Sequence, residues 1–320
     1  MAWPMRFILA LAVPALALAA HRPTSAPVPR WDACGHKTVA AIALQHLKPA
    51  TRDKVLALFA ADPRGRQFVD SATWPDDIKQ GRRNDAPRKA PLQRPWHYVN
   101  VPCDATPDEV QLVLEHRGRR PEPGDEDSAN VVTAIRFYTE QLQRGDGDAC
   151  AQADALSWLI HLVGDIHQPL HTLEVKRPLP NYTPPPEGDR GGNGFKIKHP
   201  TRQLHALWDE IFDLPTGGAR GQGRDSSDQG ATALAATLQA QVHPHPRALE
   251  RTDPADWARE SFRHRAFVYS PPLDPDDKGA DPYHLVTADY LEQARALAAE
   301  RVVVAGRRLA LLLERIFARR

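Results

Sequence analysis

Ser157-Trp158-Leu159-Ile160-His161-Leu162-Val163-Gly164-Asp165-Ile166-His167-Gln168-Pro169-Leu170-His171 decides the fold and most of the chemistry. Its apolar residues recur three and four apart, which predicts a helix over 151–168, and Pro169 cannot continue the backbone ladder, so the helix bends or ends there. His161 and Asp165 are four apart and present their side chains from one helical face to one point. His171 lies ten residues beyond His161, and the break at Pro169 lets it reach a neighbouring point.

The same periodicity extends in both directions. Helices are predicted over 36–46, 49–59, 71–79, 107–116, 129–143, 204–212, 230–242, 254–266 and 287–318, several of them opening at Ser, Thr, Asp or a first-turn Pro. Strand signals are nearly absent. The alternating piece Gly194-Phe195-Lys196-Ile197-Lys198, after Asp189-Arg190-Gly191-Gly192-Asn193, reads as half of a small hairpin. With no internal repeat and no linker between separate cores, the expectation is one all-α domain over 31–320.

A second His-x3-Asp pair, His205 and Asp209, falls on the short helix over 204–212. With 14 His and 27 Asp in 320 residues, about one such pair arises by chance, so the pairs need company. Trp31-Asp32-Ala33-Cys34-Gly35-His36, Ser71-Ala72-Thr73-Trp74-Pro75-Asp76-Asp77-Ile78-Lys79 and Trp96-His97-Tyr98-Val99-Asn100 provide it. These are nitrogen and oxygen donors of the kind zinc accepts, without the thiolate tetrads of a structural zinc site.

Composition narrows the partners. The chain carries 41 Lys+Arg against 40 Asp+Glu, so it lacks the basic footprint of a protein that blankets duplex phosphates, and phosphate chemistry would have to be local. Arg6 and the apolar run that ends in Ala17-Leu18-Ala19-Ala20 read as a secretory signal over 1–20, too short to span a membrane. A Pro-rich segment over 21–30 follows. Removing residues 1–30 takes away three Arg and no acid, which leaves the rest at −2. The expected product is a secreted or periplasmic protein with no stable membrane insertion. Cys34, Cys103 and Cys150 allow at most one internal bridge; Cys103 with Cys150 is the expected pairing, though sequence leaves the connectivity open. Asn181-Tyr182-Thr183 is a glycosylation sequon that matters only in a eukaryotic host.

Taken together, the segment from His161 through Asp165-Ile166-His167-Gln168-Pro169-Leu170 to His171 and the outlying His, Asp and Trp motifs resemble the zinc-dependent, single-strand-specific nucleases of the S1/P1 type. That fold is shared with bacterial zinc-dependent phospholipase C. The resemblance runs from Trp31 to the C-terminal helix. It implies three Zn2+: one held by Asp76, His97, His161 and Asp165; a second by His171, His205 and Asp209; a third by His36, Asp165 and the amino nitrogen and carbonyl of Trp31. The third site implies trimming of residues 21–30, because only a terminal Trp31 has a free amine. Three Zn2+ bring +6 against −3 from Asp76, Asp165 and Asp209, a local positive well for phosphate.

The activity the resemblance implies is cleavage of the P–O3′ bond in single-stranded DNA or RNA and in 3′-nucleotides, giving 5′-phosphates, by a hydroxide held between two zinc ions. Lys79 and Asn100 join Asp165 as the implied catalytic residues, with Lys79 on the phosphoryl oxygens. Tyr98 and Asn193 are the implied substrate contacts, with Tyr98 stacking on an unpaired base. Fungal members carry Asp where Asn100 stands, so base preference is an open point here. The phospholipase branch has a longer gap between the N-terminal Trp and the next His and ends its last pair in Glu. Five positions separate Trp31 from His36 and the last pair ends in Asp209, which favours the nuclease branch over phospholipid hydrolysis and over a non-catalytic exported zinc-binding protein. A monomer is expected.

Overall fold

Caps and breakers fix the helices close to where the periodicity places them. The computed structural model describes residues 33–79, 94–116, 129–214, 225 and 227–318. In chain order the helices are α1 (Ala33–His46), α2 (Pro49–Ala60), α3 (Trp74–Lys79), α4 (Pro107–His116), α5 (Val131–Arg144), α6 (Ala149–Asp165), α7 (Leu204–Asp209), α8 (Asp228–Gln241), α9 (Pro246–Glu250), α10 (Pro254–Arg263), α11 (Arg265–Val268) and α12 (Ala288–Phe317). Three short 3-10 turns, Asp70–Thr73, Arg94–His97 and Pro169–His171, lie between them. Asp148 caps α6 by accepting from Ala151 N, Asn130 and Thr133 form a reciprocal capping box on α5, and Thr287 caps α12.

The expected all-α class holds. Among the described residues, strand is confined to the two-residue pieces β1 (Val101–Pro102) and β2 (Leu173–Glu174), which pair in parallel with Val101 beside Leu173 and Pro102 beside Glu174. The hairpin expected at 194–198 reduces to isolated bridges: Lys196 pairs with Gln203, and Ile197 with His284. The helix expected over 254–266 divides at His264 into α10 and α11.

Burial explains the arrangement. From Ala153 to Asp165, α6 is buried on all but one residue, because α1, α5 and α12 pack around it. α1 in turn lies between α12 and α8. The apolar cluster runs from Cys34 to Phe317 without a break between two cores. No described helix is long and apolar enough to cross a membrane.

The expected Cys103–Cys150 bridge is absent: all three cysteines carry free thiols. Cys150 sits at the start of α6, with its Sγ 3.9 Å from Asp62 Oδ1, whereas Cys103 bonds through its backbone to Glu174, beyond the other end of that helix. The seventeen residues of α6 rise about 25 Å, and Cys103 pairs with chain that follows the far end of that helix, so the two thiols are not bridged. Burial pushes the Cys103 thiol up to about 12, so it is protonated at neutral pH. The Asn181 amide of the sequon donates to the carbonyls of Tyr269 and Pro271, bonds that a glycan would have to displace. The signal segment, the segment over 21–30 and Trp31 lie outside the described residues.

Candidate metal centre

Asp165, the last residue of α6, collects four imidazoles. Its Oδ2 lies 3.0 Å from His97 Nδ1 and 3.1 Å from His161 Nε2; its Oδ1 lies 3.0 Å from His171 Nδ1 and 3.4 Å from His36 Nε2. Each arrives by a different route. His36 comes from α1 and stacks on His161 with centroids 3.9 Å apart. Gly164 makes room for it, since a Cβ there would stand 2.5 Å from His36 Nδ1. His97 ends the 3-10 turn over Arg94–His97, and His171 ends the one that begins at Pro169.

Among the described residues, three groups of potential metal-holding side chains result: His36, His161 and Asp165; Asp76, His97 and His161; and His171, His205 and Asp209, with donor atoms in each group within 4.8 Å of one another. Asp76 is supplied by α3, its Oδ1 3.9 Å from both His97 Nδ1 and His161 Nε2. The set expected around the first ion is thus brought together, with His161 shared between two groups. In the third group His205 Nε2 is 3.3 Å from Asp209 Oδ2 and His171 Nε2 is 3.8 Å from Asp209 Oδ1.

Backbone carbonyls set the tautomers. His161 Nδ1 lies 2.8 Å from Ala72 O, His171 Nδ1 3.0 Å from His97 O, and His205 Nδ1 2.6 Å from Gly191 O. A carbonyl only accepts, so each Nδ1 donates and each neutral ring turns the lone pair of Nε2 inward. Nε2 of His161 therefore faces Asp165, and Nε2 of His171 and of His205 faces Asp209. A cation that displaces the ring protons would meet imidazole lone pairs and carboxylate oxygens together, a donor set that suits a divalent metal such as zinc.

The charges respond accordingly. Burial alone would raise the Asp165 and Asp209 carboxyls, yet the imidazoles against them hold both well below the usual carboxylate range. Burial opposes a charged His171, but Asp165 and Asp209 override it and raise the ring to about 10; His161 is raised by Asp165 and Asp76 in the same way. His36 is lowered, by burial and then by the neighbouring His161.

A model of the S1/P1 Nuclease family matches residues 31–318. The chain belongs to the S1/P1 nuclease family. Among curated relatives, Nuclease S1 of Aspergillus oryzae (strain ATCC 42149 / RIB 40) is 24% identical over 298 residues, 89% of this chain and 91% of its own length. Endonuclease 1 of Arabidopsis thaliana is 25% identical over 300 residues, 90% and 87% of the two chains. Endonuclease 5 of the same plant is 28% identical over 193 residues, little more than half of either chain. In this nuclease-family chain, Tyr98, which follows His97 in sequence, and Asn100 line one cavity. Asn193 is half-buried and donates its amide to Arg190 O, bracing the Gly-rich loop. Lys79 ends α3, three residues after Asp76, and its side chain lies outside the described part.

Two supporting groups, Gln168 and Asp189, carry no expectation from the sequence, whereas His167 lies between ligands there and so reads as a supporting residue. Gln168, inside the deciding stretch, donates from Nε2 to Asp209 Oδ1 at 2.9 Å; its place between His167 and His171 was the available signal. Asp189 accepts from the backbone of Val175 and Gly192 and from Tyr269 Oη, and so holds the loop whose Gly191 carbonyl orients His205. His167 belongs to none of the three groups. It donates from Nδ1 to Val163 O and accepts at Nε2 from Arg308, which with Arg301 shares the Glu260 carboxylate. Burial and those two guanidiniums keep His167 neutral.

Proposed function

We propose that the protein is an exported, zinc-dependent nuclease that cuts the P–O3′ bond of single-stranded DNA or RNA and of 3′-nucleotides, leaving 5′-phosphates. The observation that carries this reading is the convergence of the inward Nε2 atoms of His161, His171 and His205 on Asp165 and Asp209 in a nuclease-family fold, where two adjoining divalent cations would be held. His97, His161, Asp76 and Asp165 would hold one zinc, His171, His205 and Asp209 a second, and His36, Asp165 and a terminal Trp31 a third. When bound, such ions acidify water and neutralise phosphoryl charge.

The protein's own groups then have distinct tasks. Asp165 keeps the two halves of the centre at fixed separation, since both of its oxygens are engaged. Lys79 neutralises charge on the non-bridging phosphoryl oxygens as the attacking oxygen adds to phosphorus and O3′ departs. Tyr98, exposed beside His97, stacks on an unpaired base. Asn100 and the loop that Asn193 braces grip the nucleotide on either side.

The test is product analysis on single-stranded DNA, RNA, 3′-AMP and phosphatidylcholine with zinc and with chelator. Zinc-dependent release of 5′-phosphate ends from nucleic acid, and of inorganic phosphate from 3′-AMP, is expected. Hydrolysis of phosphatidylcholine alone would overturn the reading.

A further inference from the structure

His284 belongs to none of the three metal groups, yet both nitrogens of its buried ring face backbone carbonyls. Nδ1 lies 2.9 Å from Lys196 O and Nε2 lies 2.9 Å from Asn181 O. A carbonyl only accepts, and a neutral imidazole has one N–H and one lone pair. The imidazolium satisfies both contacts. Either neutral tautomer sets a lone pair against a carbonyl oxygen, and the ring, 1% exposed, has no solvent to relieve the cost. His161 and His205 differ: each spends Nδ1 on a carbonyl and turns Nε2 toward a carboxylate.

Three segments meet at this ring. Asn181 belongs to the turn closed by Leu179 and Tyr182, Lys196 bridges to Gln203 just ahead of α7, and His284 ends the loop that Leu273 opens by bridging to it. The backbone repeats the connection, since His284 N donates to Lys196 O and Lys198 N donates to His284 O. The ring also stacks on Phe195 with centroids 3.7 Å apart. Phe195 N donates to Gly192 O, and Phe195 O accepts from Leu204 N; the same Gly192 carbonyl accepts from His205 N. With Gly191 O on His205 Nδ1, contacts run from His284 through Phe195 and Gly192 to a member of the group formed by His171, His205 and Asp209.

We propose that His284 is a positioning residue for His205 and holds the loop over 189–205 in place only while both of its ring nitrogens carry protons; the inference rests on the metal-centre reading above. Other charged and titratable groups on the surrounding elements are already engaged. Lys196 pairs with Asp281 and Lys198 with Asp274, Asp277 accepts from the backbone of Gly279 and Tyr283, and Asp189 accepts from Tyr269 Oη. Burial keeps the Tyr182 and Tyr269 phenols protonated, and His199 on the Lys196 segment is exposed. His284 is thus the buried imidazole among them, the side-chain type that changes charge between pH 5 and 8. Below its titration both carbonyls have a donor. As pH rises through it, one donor is lost and the support of His205 weakens. Rising pH favours a metal at His171 by removing a competing proton, so the two effects have opposite sign.

Ring 15N correlation spectra of the zinc-loaded protein, recorded from pH 5 upward until the ring loses a proton, test this, with His284 assigned through its contact to Phe195. Both ring nitrogens should be protonated at the acid end, and loss of one proton should shift the Gly191 and Gly192 amides in step. Competition with a chromophoric chelator supplies the second readout. His284→Gln, which does not titrate, should weaken one zinc by on the order of tenfold while the wild-type ring is charged, and should converge with wild type once that ring is neutral. A ring neutral over the whole series, or a titration that leaves both glycine amides unmoved, would overturn the proposal. So would a His284→Gln protein whose Tm falls equally at every pH with zinc affinity unchanged, the pattern of a merely structural residue. Should His284→Gln not fold, the wild-type spectra decide alone. A doubly protonated ring with coupled glycine shifts in protein that takes up no zinc would support the His284 contact and count against the metal-centre reading instead.

Discussion

His161 donates its Nδ1 proton to the carbonyl oxygen of Ala72 across 2.8 Å, and this single bond determines which nitrogen of a fully buried imidazole faces Asp165. The ring is therefore committed to its inward role before any ligand arrives. His161→Ala removes a donor shared by two groups, and activity should fall by more than the roughly 100-fold seen when outer partners of a metal ligand are lost. Asp165→Asn should be as damaging. Turnover and zinc content measured together check this, and near-normal values in either variant would contradict it.

His167→Ala should behave differently. It strands a buried Arg308 donor, a loss of about 1–3 kcal/mol in stability, while the three groups keep all their members. A lowered Tm with retained zinc is the expected pattern in thermal melts and elemental analysis.

Proton release offers a pH-dependent test. In the metal-free protein His171 is raised to about 10 and is charged at neutral pH. A cation entering its group must displace that proton, so below about 10 zinc affinity should rise with pH, by about tenfold per unit for one proton released. Competition with a chromophoric chelator at pH 6, 7 and 8 measures the slope, and a flat response would show that His171 is not a ligand.

Gly191→Ala probes the loop under His205. Gly191 has φ +65°, and a Cβ there would stand 2.4 Å from Leu170 O, so its carbonyl would leave His205 Nδ1. Loss of an orienting partner lowers metal affinity by about 10- to 100-fold. One zinc should become labile on dialysis while the others remain, as elemental analysis would show.

Lys79→Ala and Tyr98→Ala should separate chemistry from binding. The first is expected to lower kcat with zinc content unchanged. The second should raise KM on single strands by about 5- to 150-fold, the equivalent of 1–3 kcal/mol per stacked base. Steady-state kinetics on one oligonucleotide distinguish the two patterns.

What was legible in the sequence is what local spacing encodes. His161 with Asp165 and His205 with Asp209 meet because four residues make one helical turn, and α4 begins and ends where its periodicity predicts. Contacts between distant segments were not legible. Nothing near His167 announces Arg308, 141 residues away, and nothing in Asn100 announces Glu174 across the β1–β2 pair. Two-residue strands are too short to show alternation, and the alternating 194–198 piece makes only isolated bridges. The absent Cys103–Cys150 bridge has the same origin, since the length of α6 between them is a three-dimensional fact.

Every described member of the three metal groups lies between His36 and Asp209, whereas α8 to α12 contribute none of them. From those later helices come Glu260, Arg301 and Arg308, which clamp the turn behind Asp165, and Tyr269, just past α11, secures Asp189. Reactivity and stiffness are thus written in successive stretches of one gene product. Selection can retune the metal groups or the cavity lined by Tyr98 and Asn100 in the first stretch without redrafting the scaffold in the second, and a lesion in the second can silence the protein while every chemical group stays in place.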